Sequence, residues 1–201
     1  MAAQYSTTVA VENLLKNREW FSAFELSDNF DELSETEQFH AFAIAHAVTE
    51  LIYFIQLKTV NEWEPNDLEE VLTYNIPVQI AAQDDFFAAV APVMKSYLTY
   101  LGQSSRIENP QGMIDRLEEV APTMMTYSHN DNLWSANKIL GMQMIYGDIP
   151  LKAASDLAEF EQTINCGVPI IKATTPRPAH HFTGNVVELN DELREKYQKK
   201  E

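Results

Sequence analysis

Four residues in one stretch have the types and spacing of metal ligands: Glu37, His40, His46 and Glu50. Side chains three or four apart on a helix project from the same face. Glu37-x-x-His40 can therefore share one ion, as such pairs do in di-metal helical bundles, and His46 with Glu50 supplies a second pair on the same helix. A complete site of this kind needs a second helix with a matching Glu-x-x-His. His129 has Thr126 three residues before it and His180 has Arg177, so the chain holds no such partner. The expected cofactor is none.

His46 stands among Ala43, Ala45 and Ala47, where a buried histidine hydrogen-bonded to a neighbour is expected. His180 and His181, with Cys166 fourteen residues earlier, offer three soft ligands. A structural zinc site takes four. Cys166 follows a predicted helix end, an environment that raises a thiol pKa and works against a nucleophile. The chain has no Gly-x-Ser-x-Gly turn and no Gly-rich phosphate loop. Met124, Met125, Met142 and Met144 with Trp134 and Tyr146 are adaptable groove material, although at helical spacing they read first as core.

The elements that must position these residues read as helices. Ser34-Glu35-Thr36-Glu37 is a capping box, in which Ser34 accepts from the third backbone N–H and Glu37 reaches back to the serine N–H. From 39 to 57 the apolar residues wrap nearly all round, which predicts a buried central helix. Before it, Val11, Leu14, Leu15, Arg18 and Phe21 or Ser22 recur at helical spacing, and Ser27-Asp28-Asn29 ends that run. Pro65 opens a short helix that is expected to end before Pro77. Asp84-Asp85 starts a helix with a continuous stripe from Phe86 to Leu101, and Asn109-Pro110 starts another; Pro92 and Pro122 fall inside them. A helix from about Trp134 to Tyr146 stops at Gly147, and one from Pro150 ends at Asn165. The segment 168–185, with three prolines, reads as an arm, followed by an amphipathic stretch on Val186, Leu189, Leu193 and Tyr197. The domains implied are a helical bundle over 1–165 and an arm with a terminal helix over 166–201.

Composition narrows the function classes. At 201 residues the chain can bury a core without a disulfide or metal staple, and its single cysteine fits a reducing compartment. Fourteen Lys and Arg against thirty Asp and Glu leave a net charge of −16. Such a chain repels polyanions, so neither nucleic acid nor an anionic membrane is an expected partner. The first residues lack the basic and apolar regions of a secretory signal, and 39–57 carries too many polar groups for lipid. The expected location is cytoplasmic.

Trp63, Pro77, Trp134, Ala136-Asn137-Lys138, Gly147-Asp148-Ile149 and Asn165 together resemble the pattern of an uncharacterised bacterial family of helical proteins, over about residues 63–165. Some similar members carry a cysteine-rich zinc motif of the SEC-C type, whose cysteines this chain lacks. The resemblance implies an all-helical fold.

The sequence thus predicts an all-α bundle of about seven or eight helices. Its expected function is a protein–protein interaction or regulatory role without catalysis, the partner being another protein or a second copy of the chain. Two alternatives remain: a ferritin-like or other metal-binding protein using Glu37, His40, His46 and Glu50, and an acidic inhibitor of a nucleic-acid-binding protein.

Overall fold

A computed structural model of the chain describes residues 4–147. Every regular element among them is helical and none is a strand, so the fold class is all-α. The described residues divide into two compact units, one over 4–77 and 83–128, the other over 78–82 and 129–147. The predicted helix from Pro150, the arm and the terminal amphipathic stretch lie outside the described residues, as do Cys166, His180 and His181.

In the first unit, α1 (Thr7–Phe24) begins at Ser6, whose hydroxyl accepts from Val9 N–H at 3.4 Å. The polar triplet after it both ends α1 and starts α2 (Asp28–Asp31), with Ser27 as its N-cap. The capping box of α3 (Glu35–Gln56) forms as expected: Ser34 N–H donates to Glu37 Oε2 at 2.7 Å, and Glu37 N–H to Ser34 Oγ at 3.4 Å. Leu57, in the left-handed region at φ 60°, closes the helix.

The loop after α3 is held by Lys58. Its Nζ lies 2.7 Å from Glu64 Oε2 and 3.0 Å from Asp67 Oδ2, and the hydrogen bond to Glu64 leads in raising the Lys58 pKa. Asp67 also accepts from Glu64 N–H at 2.7 Å, which sets the first turn of α4 (Pro65–Glu70).

Here the structure departs from the expected stop before Pro77. After α4 the chain widens into a π turn, Val71–Asn75, and continues into α5 (Ile76–Gln79) with Pro77 inside it. Ile76 N–H bonds to Val71 C=O, five residues back. In a regular α-helix the proline ring clashes with the carbonyl four residues before it. Widening the turn just ahead of the ring is a local adjustment that lets helical chain pass a proline.

The core gathers on α6 (Asp84–Gln103), which buries Phe86, Phe87, Val90, Val93, Met94, Tyr97, Leu98 and Leu101 and packs against α1, α2, α3 and α7 (Pro110–Ser128). Pro92 and Pro122 sit inside α6 and α7 as expected. At the α6–α7 corner Asn109, at φ 48°, accepts from Gly112 N–H at 3.1 Å and starts α7.

One expectation about facing is overturned. α3 is not buried all round: it buries Ala41, Ile44, Ala45, Val48, Thr49, Ile52 and Tyr53, yet leaves Phe39 82% and Phe54 66% exposed. By length and composition α3 could also cross a membrane, but in the fold one side packs on α1, α4 and α6. On α1, Val11 and Leu15 face outward and the buried positions are Asn13, Asn17, Phe21 and Phe24. Hydrophobic spacing registers apolar residues alone, and on α1 two amides take the inward turns.

In the second unit, Trp134 precedes α8 (Ala136–Gly147), and Ser135 N–H bonds to Val78 C=O at 2.9 Å. Lys138 is fully buried, with its Nζ 4.6 Å from the centre of the Trp134 ring, a cation–π placement.

Candidate docking surface

The four candidate ligands enter separate partnerships. Glu37 is held by the capping box. His40 turns to α6, where its Nε2 comes within 3.3 Å of Asp85 Oδ2, an ion-pair approach rather than a directed hydrogen bond. His40 also meets the Phe86 ring edge-on at 5.6 Å. The imidazole holds the Asp85 carboxyl below its ordinary value, with the Phe86 N–H assisting. His46 and Glu50 form their own i, i+4 pair at 4.0 Å. His46 is half-exposed and stacks near Phe42 at 5.7 Å, contrary to the buried histidine expected there. Among the described residues no three His, Cys, Asp or Glu side chains converge as ligands.

The methionines that read first as core include two that are buried. Met124 is core of the first unit and Met142 core of the second, and the side chain of Tyr146 lies outside the description. Glu69 and Glu119 flank Arg116, and Glu118 meets Lys95 at 2.6 Å, so these acidic side chains are paired with bases. The carboxylates of Glu119 and Glu69 raise the Arg116 pKa in turn.

What the structure does bring together is apolar and faces outward. α1 and α3 pack side by side and antiparallel: Tyr53 hydroxyl donates to Ser6 C=O at 3.1 Å at one end, and Phe21 meets Phe42 at 5.3 Å at the other. Phe39, Phe42, His46, Glu50 and Phe54 follow one another at helical spacing along the outer side of α3. On α1, Val11 and Leu15 are exposed one turn apart, and the Arg18 guanidinium lies 5.9 Å from the Phe42 ring. Tyr5 extends the strip past the end of α1, its ring 6.1 Å from Phe54.

Taking each aromatic side chain at about 200 Å², these exposed groups amount to on the order of 600 Å² of apolar surface, the upper end of what a monomer ordinarily shows. Sequence spacing places Val11, Leu14, Leu15 and Arg18 on one stripe of α1 without fixing which way that stripe faces.

Comparison with protein-family models, with curated proteins and with solved structures finds no match for this chain.

Proposed function

We propose that the protein acts by binding another protein chain through the outer face of α1 and α3, rather than by catalysis. One observation carries this reading: Phe39, Phe42 and Phe54 are exposed along the outer side of α3, and the exposed Tyr5 ring lies 6.1 Å from Phe54. Exposing large apolar groups to water is unfavourable by about 25 cal/mol per Å². Exposed aromatic side chains interleaved with polar groups on one helix side are a common feature of interaction sites. The reading suits a reducing aqueous compartment, and the charge of −16 keeps polyanions at a distance.

The test is a photo-crosslinking amino acid placed at position 15 or 54 in cells. Protein adducts are expected at both positions and none at 118, on exposed α7 surface. Absence of any adduct at 15 and 54 would sink the reading.

A further inference from the structure

We propose that the inner side of α1 binds one buried water molecule, held jointly by the side-chain amides of Asn13 and Asn17. The inference is independent of the outward-facing aromatic groups.

Burial is the first argument. Asn13 is 3% exposed and Asn17 is fully buried, one turn apart on α1. Each commits its carbonyl oxygen to a different element. Asn13 Oδ1 accepts from Val60 N–H at 2.8 Å, at the start of the 3-10 turn Val60–Glu62. Asn17 Oδ1 accepts from the Tyr97 hydroxyl on α6 at 2.9 Å. Neither Nδ2 meets an acceptor among the described residues. A buried amide donor without an acceptor carries the full penalty of leaving solvent, and native proteins commonly satisfy such groups with an ordered water.

Orientation is the second. A backbone N–H can only donate, so Asn13 must turn its oxygen to Val60, and its Nδ2 is the group left over. The Tyr97 hydroxyl can donate or accept. Whichever way round the Asn17 amide stands, one of its polar atoms remains, and water can meet either.

Spacing is the third. Residues four apart on a helix have Cβ atoms about 5–6 Å from each other, so one oxygen about 3 Å from both nitrogens can accept from the pair. Its own hydrogens are left for carbonyl lone pairs that the helical ladder does not use. A halide accepts from the same donors but has to give up its hydration inside a chain of charge −16. Water suits the site better.

The experiment is water-selective NOE and ROE spectroscopy of the purified, isotope-labelled full chain, read at the two side-chain amides. Cross-peaks from water to both Nδ2 groups are expected, opposite in sign between the two spectra, the signature of a bound molecule rather than of proton exchange. Because the exchanging Tyr97 hydroxyl can relay water magnetisation to Asn17, the measurement is repeated in Tyr97→Phe, where both peaks should persist. Asn13→Leu should lower the peak at Asn17 at least about twofold, since one water serves both amides. Circular dichroism and the unfolding midpoint check that each variant folds.

A folded wild type with no water peak at either amide overturns the proposal. So does a single peak at Asn17 that disappears in Tyr97→Phe, and so does an Asn17 peak that Asn13→Leu leaves unchanged. Amide shifts that move saturably with sodium chloride, and not with sodium fluoride, would give the site to a halide and reject water.

Discussion

Tyr97 donates its hydroxyl to Asn17 Oδ1 at 2.9 Å, joining α6 to α1 across eighty residues of sequence inside the core. One turn earlier on α1, Asn13 Oδ1 accepts from Val60 N–H at 2.8 Å. Both amide Nδ2 groups are buried, and among the described residues neither finds an acceptor. Tyr97→Phe leaves the Asn17 carbonyl buried without its donor and is expected to destabilise the protein by about 1–3 kcal/mol. Asn17→Leu with Tyr97→Phe removes both partners and should recover most of that loss. Denaturant unfolding of Tyr97→Phe, Asn17→Leu and the double variant measures it, and strict additivity would show that the pair is not coupled.

The same tyrosine predicts an alkaline response. Burial pushes the Tyr97 hydroxyl above its ordinary value of 10.0. The folded state therefore holds a proton that the unfolded state releases. Stability is fully present below pH 10 and falls as pH rises above it. Lys58, raised mainly by its Glu64 partner, adds a loss above its ordinary 10.5. Unfolding midpoints between pH 9 and 11 should drop in the wild type and drop less in Tyr97→Phe.

At the acid end the contact between His40 and Asp85 matters. The Asp85 carboxyl sits below its ordinary 3.8, so it contributes stability above that pH and loses it as pH falls through the lowered folded value. Asp85 also lies in the first turn of α6, where a carboxylate is worth about 0.3–1 kcal/mol. Asp85→Asn should cost that order at pH 7, and the gap to the wild type should close below pH 3.8. A gap that persists in acid would assign the effect to packing.

Gly102 marks a close crossing. A Cβ there would stand 2.5 Å from Cγ of Pro110, a ring with nowhere to rotate. Gly102→Ala gains about 1 kcal/mol of helix propensity but overpacks the α6–α7 corner, so a net loss of about 1–2 kcal/mol is expected. An unfolding midpoint at or above that of the wild type would show the corner to be looser than this contact implies.

How much of this was readable in the chain varies by element. The α3 capping box and the stripe of α6 follow from local chemistry, and they form where spacing puts them. The facing of α1 was not readable, because Asn13 and Asn17 are polar and gain their inward places from Val60 and Tyr97, distant in sequence. The all-round apolar pattern of α3 was read correctly as pattern and wrongly as burial, since periodicity cannot separate a side chain that meets its own core from one that faces outward. The four candidate ligands share a segment, but Ser34 and Asp85 claim two of them for structural contacts.

The π turn between α4 and α5 has a further consequence for the length of the chain. Leu68 and Leu72 keep step, but the next inward pair is Ile76 and Pro77, one place later than a regular helix would put it. The segment from Val71 to Asn75 thus holds one residue of slack. Removing exposed Tyr74 would close the wide turn and still leave isoleucine and proline facing the core. The same deletion in the middle of α6 would rotate every later side chain by about 100°. This helix can accommodate a change of length that its neighbour cannot.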